Sequence, residues 1–189
     1  MFSTKRSRVR ALAGVGMAGV FVAVGAVAYD ASAAQAPSDS RAVSIPLINE
    51  AIKPPAGSKP VGAYVVTKGT QTYACTAAGT WDTTKSTPEA QLIGTGGKIH
   101  HFAGPTWQSL RDGSAVTATK EAGVDRAGTI QELRLRVTSH TGSGVLSNAD
   151  YINRLFTSGG VAPASGCTAG ETVSVPYGAV YVFWDAPAA

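Results

Sequence analysis

Leu133-Arg134-Leu135-Arg136-Val137 puts three apolar residues on alternate positions with two arginines between them. Successive side chains of an extended strand point to opposite faces, so this run has one apolar and one charged face, as a half-buried antiparallel strand requires. Arg134 and Arg136 read as the solvated outer face. The flanking sequence repeats the theme in short pieces. Residues 62–66 and 71–75 read as the two arms of a hairpin around Thr67-Lys68-Gly69-Thr70. Residues 98–102, 115–120, 151–157, 172–175 and 179–184 read as further strands, with Gly94, Gly96 and Gly97 marking one turn and Asp112-Gly113-Ser114 another. In the last run, Tyr181 and Phe183 fall on one face and Val180, Val182 and Trp184 on the other, so both faces are expected to be covered. No segment has a helical stripe, and the best helical candidate is the polar stretch 147–154. Short strands, frequent turns and little helix predict an all-β single domain, either an antiparallel β-sandwich or a small β-barrel.

The chain has 189 residues, 44% of them apolar and 15% charged, with 22 Gly and 10 Pro, which excludes disordered, collagenous and coiled-coil classes. Lys5, Arg6, Arg8 and Arg10 precede an uncharged apolar stretch, and Ala31-Ser32-Ala33-Ala34 follows it. A charged n-region, an apolar h-region and small residues of the A-x-A kind predict a secretory signal peptide over residues 1–33, cleaved after Ala33. Ala34-Gln35-Ala36 offers a second cleavage site, and a retained membrane anchor is the competing reading because the apolar run is about long enough to span a bilayer. Residues 34–59, rich in Ala, Pro and Ser, read as an extended leader, of which 43–52 is apolar enough to dock as a short edge strand. Residues 60–189 form the predicted β-rich domain.

The signal peptide holds most of the excess positive charge, so the mature chain is nearly neutral. This argues against a nucleic-acid partner. With the signal removed, no membrane span remains. Both cysteines, Cys75 and Cys167, lie in the exported part, where a single disulfide is the economical reading and two buried thiols the alternative.

Three stretches occur together: His101-Phe102-Ala103-Gly104-Pro105-Thr106-Trp107 with Asp112-Gly113-Ser114; Thr157-Ser158-Gly159-Gly160-Val161-Ala162-Pro163 running to Gly166-Cys167; and Val175-Pro176-Tyr177-Gly178-Ala179-Val180-Tyr181-Val182-Phe183. In order and spacing they resemble the domain of unknown function 3455 family, found in secreted bacterial and fungal proteins. The resemblance spans roughly residues 60 to 184. It implies an exported β-rich domain without an agreed biochemical activity.

Among residues able to do chemistry, His101 stands out, because it belongs to the matched motif and an imidazole can ligate a metal or move a proton near neutral pH. Its neighbour His100 points to the opposite face of a strand, so the two cannot grip one ion. A site would pair His101 with a distant group such as Asp112, His140 or Glu132. Trp107, in its Gly-Pro loop, is the aromatic most suited to a surface role in binding. The sequence carries no cofactor fingerprint, and a divalent metal at His101 is the one inorganic ligand to consider. The expected function is extracellular binding, of a saccharide or an envelope component, or a structural role in envelope or matrix. The alternative is a metal-assisted or hydrolytic enzyme using His101 with Asp112, and a self-associating protein is a third possibility.

Overall fold

The structure is a computed structural model and describes residues 48–188. Eight strands follow one another: β1 (Lys59–Ala74), β2 (Thr87–Gly94), β3 (Gly97–Phe102), β4 (Thr106–Ser109), β5 (Ala115–Arg126), β6 (Thr129–Thr141), β7 (Tyr151–Gly159) and β8 (Thr172–Asp185). Each pairs antiparallel with the next, and β8 returns to pair with β1, closing a barrel. Closure leaves no free sheet edge. Of the two architectures open to the sequence, the chain adopts the barrel.

The alternation at 133–137 lies in β6, where Leu133 and Leu135 are buried and Arg134 faces outward to Glu121 and to the carbonyl of Lys53. Leu135 stands opposite Ile152 of β7, and Ile152 opposite Phe183 of β8, so apolar residues of three strands meet inside. Tyr64, Leu92, Ile99, Val116 and Trp107 complete that inner core. A second cluster lies on the outer face of β7 and β8, where Leu155, Val182 and Trp184 pack against Ile52. Both faces of β8 are therefore covered, as its alternation predicts.

Four sequence expectations are corrected. The hairpin expected at 62–75 is the single strand β1, which bends at an irregularity between Val66 and Lys68. Beyond it the inward positions change parity, from Tyr64 and Val66 to Gln71 and Tyr73. Gly69 belongs to the bend because a Cβ there would meet the Tyr177 ring at 2.8 Å. The runs 172–175 and 179–184 are likewise one strand, β8, which carries Pro176 through the middle. Pro176 is exposed, and the β1–β8 pairing is interrupted beside it, between Val65 and Thr70, so its missing N–H is tolerated. Residues 147–154 are not helical: they leave a turn and enter β7. In the stretch 43–52, Glu50–Ile52 is a 3-10 turn capped by Asn49 rather than an edge strand. Residues 43–47, the signal peptide expected over 1–33 and the first part of the leader lie outside the described residues.

An up-and-down barrel puts alternate connections at opposite ends. The β2–β3, β4–β5 and β6–β7 connections share one end, which Leu146, fully buried, plugs. Asp112 and Ser114 hold that plug: Asp112 accepts from the Val145 N–H at 3.0 Å, and Ser114 Oγ accepts from the Leu146 N–H at 3.2 Å. The other end carries the connections 75–86, 103–105, 127–128 and 160–171.

Candidate functional site: a cavity at the open end of the barrel

An eight-stranded barrel is just wide enough to be filled by side chains or to hold one small ligand. This barrel does both. Its plugged half is packed, and its other half contains a cavity of about 640 Å³. Bulky residues on the inner positions give way there to Gln71 and Tyr73 of β1, Lys120 of β5 and Arg154 of β7, which do not fill the lumen. Trp107, His101 and Tyr181 face the cavity with Leu133 and Leu135, and Lys85, Ser86, Pro105, Val161 and Ala162 line its rim.

The rim is tied together. Cys75 and Cys167 form a disulfide across a sequence separation of 92, joining the β1–β2 connection to the β7–β8 connection. The Cys167 N–H also donates to the carbonyl of Gly79 at 3.1 Å, and the Tyr73 hydroxyl donates to the carbonyl of Gly160. Gly160 has φ +76, and a Cβ there would lie 2.8 Å from that of Tyr177, so the Gly159-Gly160 pair of the sequence motif is what lets β7 turn over into the rim.

The electrostatics of the cavity are one-sided. Lys85, Lys120 and Arg154 line it, and among the described residues no carboxylate does. Lys120 donates to the Gln131 side chain. Arg154 is half-buried, and its Nε and Nη2 both donate to one acceptor, the carbonyl of Gln131, at 3.1 and 3.0 Å. Among the described residues no carboxylate pairs with it. Arg154 stands directly opposite Tyr181 in the β7–β8 ladder. Burial pushes the Tyr181 and Tyr177 hydroxyls above the ordinary tyrosine value, so both stay neutral, 3.2 Å apart.

His101 is 2% exposed and lies between Trp107 and Tyr181, with ring centroids 4.1 and 5.4 Å away. Its Nδ1 lies 2.9 Å from the carbonyl of Thr106, which can only accept, so the proton sits on Nδ1 and Nε2 carries the lone pair. Burial pushes the imidazole down to about 3, so it is neutral. Trp107, considered for a surface role, is 1% exposed; it reaches the cavity from within the core, and its Nε1–H is buried with no partner among the described residues. His100 faces outward to Glu89, as strand alternation requires.

The structure does not bring His101 and Asp112 together. His101 lies near the β3–β4 connection at the open end, and Asp112 in the β4–β5 connection at the plugged end. The four residues of β4 separate those turns by about 13 Å. Asp112 is committed to Ser114 and Val145, His140 to the carbonyl of Ala149, and Glu132 to Arg126 and the Phe156 N–H. Among the described residues, no group of three His, Cys, Asp or Glu is placed to hold a metal ion. Sequence reasoning missed Arg154 and Lys120, since their meeting at one cavity follows from barrel closure and, for Lys120, from register shifts along β5. The available signal was Arg154 two residues after Ile152, on the same face of β7.

A family described as protein of unknown function (DUF3455) matches residues 96–185, from the β2–β3 turn to the end of β8. The match takes in the disulfide's second cysteine, the Gly159-Gly160 turn and both Arg154 and His101. No curated protein and no solved structure matches the chain. Over residues 96–185 the chain is similar to the DUF3455 family.

Proposed function

We propose that this is a secreted binding protein that holds one small anionic molecule with an apolar body in the open half of its barrel. The observation that carries the reading is the cavity lined, among the described residues, by three cations, no carboxylate and a floor of Leu133, Leu135, Trp107 and Tyr181. Its volume lies within the range of small-molecule sites, about 300–1,000 Å³. A half-buried guanidinium without an ionic partner favours an anion, because the ligand's charge replaces the water that Arg154 gives up. A neutral saccharide gains nothing from the three cations. Secretion belongs to the proposal and is supported by the charged and apolar N-terminal regions, the small residues at 31–34 and a disulfide, which persists in oxidising compartments.

The test is thermal unfolding of the purified protein with benzoate and decanoate, their neutral counterparts benzamide and decanol, maltose, and zinc or calcium salts. A ligand that binds only the folded state raises its midpoint. The carboxylates are expected to raise it, the neutral compounds not, and Arg154→Met is expected to abolish the rise. Equal shifts from neutral compounds, or a shift from maltose or a metal and none from the carboxylates, would overturn the reading.

A further inference from the structure

Two features of the cavity floor go beyond a preference for anions. Arg154 and Tyr181 are cross-strand neighbours, and the Tyr181 ring lies 5.4 Å from that of His101, so guanidinium and imidazole flank the same tyrosine. Arg154 spends Nε and one Nη2 proton on the Gln131 carbonyl and sits against the Tyr181 hydroxyl, and no carboxylate among the described residues takes its remaining N–H groups. Facing the same space, His101 offers the opposite polarity: with its proton held on Nδ1 by Thr106, Nε2 can only accept. The wall between them is made of rings, with Trp107 stacked on His101 and edge-on to Tyr181. A flat ring makes edge or offset contacts with such a wall.

Resting on the binding reading above, we infer that the ligand is an aromatic hydroxy acid, its carboxylate on Arg154 and its hydroxyl proton donated to His101 Nε2. A molecule with a charge but no donor leaves the buried imidazole lone pair unmatched. The neutral state of His101 makes the acceptor available throughout the ordinary pH range.

The experiment is calorimetric titration of the purified protein with 3- and 4-hydroxybenzoate, their methoxy counterparts, benzoate and the corresponding hydroxybenzamides. At least one hydroxybenzoate is expected to bind roughly five-fold or more tightly than benzoate and its own methoxy ether, the size one net hydrogen bond supplies. His101→Phe keeps a flat ring against Trp107 and removes the acceptor; in this variant the preference for hydroxybenzoate over benzoate and over the methoxy ether is expected to disappear. The comparison of hydroxyl with methoxyl in the unaltered protein needs no variant to fold. Benzoate binding as well as both hydroxybenzoates overturns this inference and leaves the anion-binding reading standing. Hydroxybenzamides binding as well as the acids overturns both; no aromatic acid binding overturns this inference, and the anion-binding reading then rests on decanoate.

Discussion

The imidazole of His101 lies flat on the indole of Trp107, with 4.1 Å between ring centroids and 4° between planes, and both rings are buried in a barrel that is open only a short way above them. This pair divides the lumen into a packed half and a hollow half. Below it Ile99, Val116 and Phe183 fill the space; above it the inward positions carry Gln71, Lys120 and Arg154. Truncating Trp107 joins the cavity to the core. Trp107→Ala is expected to cost about 3–5 kcal/mol, the usual penalty for removing a buried large aromatic, and denaturant unfolding measures it.

The same pair fixes an acid response. In the folded protein burial holds His101 to about 3, while the unfolded chain takes up its proton near 6.5. Above pH 6.5 the two states bind that proton equally. Between pH 6.5 and about 3 only the unfolded state binds it, so stability falls as pH falls through this window. The melting midpoint of the unaltered protein is expected to decline from pH 7 to pH 4 more steeply than that of His101→Phe; parallel declines would show that other groups set the slope. Asp112, held down to about 2 by Ser114 and Val145, acts in a lower window that overlaps only the acid end of the first, losing its contribution as pH falls from 3.8 toward 2.

The disulfide braces the rim. Cys75 lies at the end of β1 and Cys167 in the connection that carries Val161 and Ala162 over the cavity, with 92 residues of sequence separation between the two cysteines. A loop of that size gives about 4–5 kcal/mol in the chain-entropy account, and native disulfides commonly deliver about 2–5. Cys75→Ser with Cys167→Ser is expected to lower unfolding free energy within that range. The amides of the rim at 160–171 are expected to lose hydrogen-exchange protection before those of β6. A uniform loss across the barrel would show that the bridge stabilises the fold without holding the rim.

What the sequence made legible is local. The alternation of Leu133 and Leu135 with Arg134 and the two-faced pattern of Tyr181 and Phe183 with Val182 and Trp184 are properties of short straight runs, and both hold. The hairpin reading of 62–75 failed because Gly69, which resembles a turn residue, is a close-approach residue under the Tyr177 ring. The site escaped for a related reason. Arg154, Lys120 and Gln71 sit on three strands, each with a register shift, and their convergence is a property of barrel closure that no local pattern encodes. Asp112-Gly113-Ser114 was legible as a turn. Its second task, holding the Leu146 plug, depends on a contact more than 30 residues away in sequence.

That plug is testable through Ser114, which is fully buried and bonds both Asp112 and the Leu146 N–H. Ser114→Ala leaves a buried amide unpartnered and is expected to cost about 1–3 kcal/mol. Protection of the Leu146 amide against hydrogen exchange is expected to drop with it, while ligand binding at the opposite end stays unchanged. Loss of ligand binding in a folded Ser114→Ala protein would mean that the two ends of the barrel are coupled.

Asn153 does the corresponding work on the outer face of β7. It is fully buried; its Nδ2 donates to the carbonyls of Ile52 at 2.8 Å and Leu133 at 3.0 Å, and its Oδ1 accepts from Trp184 Nε1 at 2.9 Å. One side chain thus joins the 3-10 turn at Glu50–Ile52 to β6 and β8 and completes the polar side of the cluster formed by Ile52, Val182 and Trp184. Asn153→Leu fills similar volume but leaves the indole N–H without its acceptor and the Ile52 carbonyl without its donor. Each unpartnered buried group costs about 1–3 kcal/mol, so the loss is expected to reach several kcal/mol in denaturant unfolding. Because Ile52 is held by this bond and by packing on one face, the segment 48–58 is expected to open before the barrel does. Its signature is fast exchange of the Ile52 amide, which donates to the carbonyl of Asn49, at denaturant concentrations where β6 and β8 remain protected. Simultaneous exchange of all three would place the segment within the barrel's own cooperative unit.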